Sequence, residues 1–72
     1  MPSTVIRRFV YDPEARALTV EFTSGDVYRY LEVPPDLPER WRAAYSKGRF
    51  FATRVRDRHP CRKLPGWPEG AG

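Results

Sequence analysis

The strongest structural signal in the sequence is a hairpin in its first half. Leu18, Val20 and Phe22 alternate with polar residues, which is the period-2 pattern of a strand with one buried face. A turn signal follows, and residues 27–33 form a second run rich in β-branched and aromatic residues that ends at two prolines. The sequence therefore predicts an antiparallel pair of strands on which the rest of the chain packs.

The length of the hairpin loop decides which way two tyrosines face, because a shift of one residue turns every side chain to the opposite face. With a two-residue loop, Arg29 would lie among apolar side chains without a partner. With a three-residue loop at residues 23–25, the glycine takes the left-handed position of a bulged hairpin and Val20 pairs with Tyr28. We predict the longer loop, with Tyr28 and Tyr30 mostly buried as structural residues.

A first strand is predicted over residues 4–11, which are rich in β-branched and aromatic residues and precede an Asp-Pro turn signal. Ile6 and Phe9 are three positions apart, which breaks strict alternation. Either a bulge near Arg7 and Arg8 resets the alternation, or both faces of this strand are partly covered.

Two helices are predicted after the hairpin. The first begins with Asp36 as N-cap and a glutamate in the capping-box position. Its predicted buried face consists of Leu37, Trp41, Ala44 and Tyr45. The second begins with Ser46 as N-cap and runs to about Arg58. Residues 61–72 are rich in proline and glycine and are predicted to be a tail, part of which Trp67 could hold against the domain.

Together these elements predict an α+β fold in one small domain, with a three-stranded antiparallel meander followed by two helices packed on one face. The domain would span residues 3–60. Its predicted core is Leu18, Val20, Phe22, Tyr28, Tyr30, Trp41, Phe51 and Val55. So short a chain buries only about 60% of its unfolded surface, which leaves few apolar side chains to enclose a substrate. We therefore expect a non-catalytic module and not an enzyme.

The composition gives little support to metal, redox or membrane functions. Cys61 is the single cysteine, which excludes an internal disulfide and fits a reducing compartment. Asp57, His59 and Cys61 lack the paired spacing of a zinc site, and His59 is the only histidine available to a catalytic triad. No run of about 20 apolar residues is present. We expect a cytoplasmic protein without cofactor, metal or membrane contact.

Positive charge is concentrated in one part of the chain. Residues 40–63 contain nine lysines and arginines and only Asp57 as an acid, a net charge of +8, whereas the rest of the chain carries −4. Eleven of the thirteen cationic residues are arginines, whose planar guanidinium suits phosphate. This asymmetry indicates an anionic partner. The alternative is that the two parts neutralise each other within the fold.

Several segments of the sequence resemble those of the KTSC domain. The resemblance rests on Tyr11-Asp12-Pro13, Phe22 to Gly25, Tyr28-Arg29-Tyr30, Val33-Pro34 and Ser46-Lys47-Gly48-Arg49-Phe50-Phe51. That module occurs at the C-terminal end of some lysyl-tRNA synthetases and as a stand-alone bacterial protein. The resemblance thus implies a small α+β domain and, by association with tRNA-charging enzymes, an RNA partner. The chain departs from the pattern at Ala52, where an asparagine is common, and at His59, where an aromatic residue is common.

The second helix carries the residues best suited to bind RNA. Lys47, Phe50, Arg54 and Arg58 follow at spacings of three, four and four and would form one stripe on an α-helix. Cations bind phosphates and an exposed ring can stack on an unpaired base. The predicted interface, called here the basic helical face, is Lys47, Arg49, Phe50, Arg54, Arg56 and Arg58.

Two alternatives remain open at this level. Phe50 could pack into the core and leave only a solvated charged face. The partner could also be an acidic protein, docked on the basic helical face or on an exposed strand edge, and not tRNA or single-stranded RNA.

Overall fold

The computed structural model describes residues 6–56 and 58–68. The elements in chain order are β1 (Ile6–Asp12), β2 (Ala17–Phe22), β3 (Val27–Tyr30), α1 (Leu37–Ala43), α2 (Lys47–Phe51), a π-helical segment (Ala52–Arg56) and β4 (Cys61–Leu64). The strands form one antiparallel sheet in the order β1-β2-β3-β4. The predicted α+β class is confirmed. The predicted positions at residues 3–5, Asp57 and residues 69–72 lie outside the described residues.

The predicted hairpin register is confirmed. Val20 pairs with Tyr28, as the three-residue loop requires. The backbone N–H of Phe22 donates to the carbonyl of Asp26 at 2.9 Å, which closes the loop. Gly25 has a φ of 98°, a conformation that side chains other than glycine rarely adopt. The glycine therefore fixes which face of β3 is buried.

The bulge in β1 is also confirmed. Ile6 pairs with Phe22 and Arg8 pairs with the preceding Glu21, so Arg7 is an extra residue in this strand. The extra residue resets the alternation, and both Ile6 and Phe9 pack against the core.

The prediction of three strands is wrong in number, because Cys61–Leu64 forms a fourth strand within the predicted tail. This strand pairs with β3, with Tyr30 opposite Cys61 and Val27 opposite Leu64. Residues 61–64 contain no proline or glycine, and the prolines and glycines of the predicted tail begin at Pro65. Pairing with β4 provides hydrogen-bond partners for the backbone groups at the edge of β3. Local composition does not reveal this pairing, because it depends on residues far apart in the sequence.

The core lies between the helices and one face of the sheet. Its buried members are Leu18, Val20, Tyr30, Val33, Leu37, Trp41, Phe51 and Val55. The predicted core residues Phe22 and Tyr28 are only half-buried, yet both pack against this cluster. The ring of Phe51 makes edge contacts with Phe22 and Tyr30 at centroid distances of 5.5 and 5.4 Å. Aromatic packing therefore joins α2 to the sheet.

The opposite face of the sheet is also partly buried. Arg8, Glu21, Val27 and Leu64 lie side by side across the four strands on this face. Val27 and Glu21 are buried, and Nε of Arg8 donates to a carboxylate oxygen of Glu21 at 2.6 Å. The guanidinium of Arg8 also lies 4.0 Å from the centroid of the Trp67 ring. Residues after β4 therefore return across this face.

Three predicted boundaries differ from the structure. The third strand ends at Tyr30, because Glu32 has a φ of 58° and turns the chain. Helix α1 ends at Ala43, because Ala44 is extended with ψ of 140°. The helical run that begins after Ser46 is described as far as Arg56, and Arg58 lies in a turn and not in the helix. Proline at position 60 disfavours helical geometry just before it.

The two predicted N-caps have different outcomes. Ser46 caps α2 as predicted, since its Oγ accepts a hydrogen bond from the backbone N–H of Arg49 at 3.2 Å. Asp36 is wrong as a side-chain cap, because its backbone is already helical and its carboxylate makes no capping hydrogen bond. That carboxylate lies 3.7 Å from Arg40 instead.

Within the described ranges, no helix is long and apolar enough to cross a bilayer.

Candidate nucleic-acid interface

The most exposed aromatic side chain of the described residues is Tyr45, in the short connection between α1 and α2. We predicted that Tyr45 is buried on the first helix, and this is wrong because the helix ends two residues earlier. The sequence contains a signal for this end, since an N-cap at Ser46 requires a non-helical residue there. Tyr45 immediately precedes that cap and projects its ring into solvent.

A shallow hollow of 290 Å³ lies beside this tyrosine and is called here the Tyr45 hollow. Its lining residues are Ala44, Tyr45, Ser46, Arg49, Phe50, Thr53 and Arg54. Phe50 is half-buried, packs against the core and contributes an apolar wall. The structural alternative for Phe50 is thus partly correct, because its ring serves both the core and the hollow.

Arg49 and Arg54 lie at this hollow although they are five positions apart. Residues four apart are neighbours on a helix surface, so Arg49 with Thr53 and Phe50 with Arg54 form one continuous side. The π-helical segment Ala52–Arg56 follows α2 directly and carries Thr53 and Arg54 of this side. The structure therefore brings Arg49, Phe50 and Arg54 together with Tyr45.

The positive charge of residues 40–63 is partly neutralised by acidic residues from other parts of the fold. Lys63 lies 3.6 Å from Asp26, and Arg40 pairs with Asp36. Of the predicted interface residues, Arg49, Arg54 and Arg58 are exposed, and no carboxylate of the described residues lies within ion-pair distance of them. These three guanidinium groups remain available to an anionic partner.

Lys47 belongs to the predicted interface but does not line the Tyr45 hollow. Its ammonium donates a hydrogen bond to the carbonyl of Ala44 at 2.7 Å. Its own backbone carbonyl accepts a hydrogen bond from the indole nitrogen of Trp41 at 3.0 Å. Lys47 therefore joins the end of α1 to the beginning of α2.

The remaining predicted residues have other surroundings. Arg56 is exposed at the end of the π-helical segment, and Arg58 is exposed in the turn that follows. Neither lines the Tyr45 hollow. Tyr30 is only 3% exposed, and half-buried Tyr28 packs edge-on against Phe22. Both tyrosines thus contribute to packing.

Among residues 6–56 and 58–68, no cluster of histidine, cysteine, aspartate and glutamate could hold a metal ion. His59 is half-buried, and Cys61 is exposed on β4, which is an edge strand of the sheet.

Comparison with known proteins identifies the family. The KTSC domain family profile matches residues 2–59. The chain belongs to the KTSC family. This match includes the Tyr28-Arg29-Tyr30 motif and the Ser46–Phe51 segment on which the resemblance rested. A KTSC domain protein from Yersinia pestis has a similar crystal structure, with a TM-score of 0.78 and 37% sequence identity over 82% of this chain and 83% of that one.

KTSC sequences similar to this one occur in proteins of very different size. A lysine–tRNA ligase from Nostoc punctiforme is 46% identical over 48 residues, which are 67% of this chain but only 9% of the ligase. A protein from Stutzerimonas stutzeri is 41% identical over 59 residues, 82% of this chain and 83% of that protein. The same fold therefore exists within large enzymes and in proteins about as short as this one.

Proposed function

We propose that this KTSC domain is a non-catalytic RNA-binding module whose contact surface is centred on the Tyr45 hollow. One observation carries the proposal: a fully exposed tyrosine lies beside two arginines that have no carboxylate partner among the described residues. Guanidinium groups bind phosphates, and a free ring stacks on an unpaired base. Arg49, Arg54 and Tyr45 supply both kinds of contact within one hollow.

Unpaired nucleotides fit this surface better than a regular duplex. A free aromatic face needs a base that has left its own stack, and such bases occur in single strands and in the loops of tRNA. The hollow is shallow and open, and its polar groups are mainly flexible arginines. It would therefore hold RNA with little reading of sequence.

The relatives add independent support for RNA as the partner. Several relatives are lysine–tRNA ligases, enzymes whose name states that they join lysine to tRNA. A domain that binds exposed tRNA nucleotides would retain the substrate of such an enzyme close to it.

The proposal is tested by measuring the binding of fluorescently labelled tRNA and of an unstructured RNA at two salt concentrations. We expect binding at low salt that weakens steeply as salt is added, because phosphate contacts release counterions. The double variant Arg49→Gln/Arg54→Gln should bind roughly tenfold more weakly, since it loses two phosphate contacts.

A matched control is available in the double variant Arg16→Gln/Arg62→Gln. It removes the same net charge from the turn before β2 and from β4, and neither position lines the hollow. We expect its affinity for RNA to stay within about twofold of the unmodified domain, since only long-range attraction changes. Absence of RNA binding at low salt, or an equal loss in both double variants, would refute a specific interface at Tyr45.

A further inference from the structure

A second concave site shares no lining residue with the Tyr45 hollow. This cleft has a volume of 390 Å³ and separates the bulge of β1 from α1, and it is called here the β1–α1 cleft. Its lining residues are Ile6, Arg7, Arg8, Phe9, Trp41, Arg42 and Lys47. Only Lys47 belongs to the predicted RNA interface, and its ammonium is held by the carbonyl of Ala44.

The rim of the cleft is positively charged. Arg7 and Arg42 are exposed and have no ion-pair partner among the described residues. Arg8 differs, because its guanidinium is already bound to Glu21. None of the seven lining residues is acidic, and residues 1–5, which lead into β1, contain no acidic residue in the sequence. Within the described part of the chain, no carboxylate therefore lies within ion-pair distance of Arg7 or Arg42.

The aromatic rings of the cleft are already engaged with each other. Phe9 and Trp41 are stacked with centroids 4.3 Å apart and an interplanar angle of 10°. The guanidinium of Arg42 lies over the ring of Phe9 at 5.5 Å. A nucleobase would find no free ring face here comparable to that of Tyr45. An aliphatic side chain can instead pack against Ile6 and the accessible edge of Phe9, whereas Trp41 is fully buried beneath them.

We propose that the β1–α1 cleft is a docking site for an acidic protein segment in which an apolar side chain is flanked by carboxylates. The apolar side chain enters the cleft beside Ile6 and Phe9, which are half-buried, and the carboxylates bind Arg7 and Arg42 at the rim. Guanidinium groups bind carboxylates through paired hydrogen bonds, which favours arginine at such a rim. The volume lies near the lower end of the range for ligand sites, about 300–1,000 Å³, and suits one anchoring side chain.

The direct test uses a labelled peptide of alternating glutamate and serine with one central leucine. We expect it to bind the unmodified domain and to bind the Arg7→Gln/Arg42→Gln variant about tenfold more weakly, because two charge-assisted contacts are lost. The Arg49→Gln/Arg54→Gln variant should bind the peptide as the unmodified domain does. Circular dichroism of each variant verifies that it is folded.

Two companion peptides test the chemistry of the occupant. Replacing the leucine with serine should weaken binding several-fold, because the anchor is lost. Replacing the glutamates with lysines should abolish binding, because the rim repels a cationic peptide. Amide resonances of residues 6–9 and the Trp41 indole resonance should shift on addition of the leucine peptide, whereas those of Tyr45 and Arg54 should not.

Several results would overturn this assignment. These are failure of the leucine peptide to bind, equal weakening in both double variants, and resonance shifts confined to the Tyr45 hollow. An RNA that shifts the Trp41 indole and loses affinity in the Arg7→Gln/Arg42→Gln variant would assign the cleft to RNA instead. Because the cleft and the Tyr45 hollow are altered by separate variants, failure of one proposal is distinguishable from failure of the other.

Discussion

The hydroxyl of Tyr11 donates a hydrogen bond of 2.7 Å to the backbone carbonyl of Val33. The backbone N–H of Val33 in turn donates to the carbonyl of Arg16 at 2.9 Å. Tyr11 belongs to the Tyr-Asp-Pro motif at the end of β1, and Val33 belongs to the Val-Pro motif before α1. Two separate motifs of the KTSC resemblance thus hold the chain leaving β3 against the first two strands. Their role is structural.

We expect the Tyr11→Phe variant to be less stable by about 1 kcal/mol, because the carbonyl of Val33 loses a partner in a partly buried position. Urea unfolding monitored by circular dichroism measures this difference. Tyr45→Phe is the matched control, because its hydroxyl is exposed and its removal should leave stability within about 0.5 kcal/mol. If Tyr11→Phe were as stable as the unmodified domain, this hydrogen bond would make no net contribution to the free energy of unfolding.

Tyr45 is predicted to contribute to RNA affinity and not to folding. The Tyr45→Ala variant should bind unstructured RNA about tenfold more weakly, since stacking on one base is worth roughly 1–3 kcal/mol. Its unfolding midpoint should not change, because the ring is fully exposed. Fluorescence anisotropy with labelled RNA and urea unfolding measure the two quantities.

Two further substitutions at this position separate stacking from general apolar contact. Tyr45→Trp should retain or increase affinity, because indole offers a larger ring face to the base. Tyr45→Leu should behave like Tyr45→Ala, because it has no ring. If Tyr45→Leu bound RNA as tightly as the unmodified domain, base stacking at this position would be rejected.

Lys47 is predicted to affect stability more than the salt dependence of RNA binding. The Lys47→Met variant keeps the long side chain but loses the hydrogen bond to the Ala44 carbonyl, and we expect a loss of about 1 kcal/mol. Its slope of log affinity against log salt should change little. Arg54→Gln should instead reduce that slope by about 0.7, the value of one lost contact to a single strand. If Lys47→Met reduced the slope more than Arg54→Gln did, Lys47 would instead belong to the RNA interface.

The sequence was most informative where a single residue type decides a local geometry. Gly25 and the unfavourable alternative for Arg29 determined the hairpin register, and the spacing of Ile6 and Phe9 indicated the bulge. Ser46 likewise marked the start of α2. In each case the determining contacts are within or next to the element, so they can be inferred from a short stretch of sequence.

The interface was less predictable because it depends on where helices end. Helical periodicity placed Tyr45 on a buried face, although the N-cap signal at Ser46 required the first helix to end before that serine. The predicted stripe joined Phe50 and Arg54 to Lys47 and Arg58, whereas the hollow joins them to Tyr45 and Arg49. Pairing of β4 with β3 is a contact between residues remote in the chain, which composition does not encode.

Trp67 is predicted to stabilise the fold although it lies in a segment rich in proline and glycine. Its ring lies 4.0 Å from the guanidinium of Arg8, whose Nε is held by the buried Glu21. Removing the ring in Trp67→Ala exposes this pair to water and removes a cation–π contact, so we expect a loss of about 1–2 kcal/mol in unfolding free energy. Trp67→Phe should recover part of that loss, because phenylalanine retains a ring face. Urea unfolding followed by circular dichroism tests both variants, and unchanged stability of Trp67→Ala would mean that the segment after β4 contributes nothing to folding.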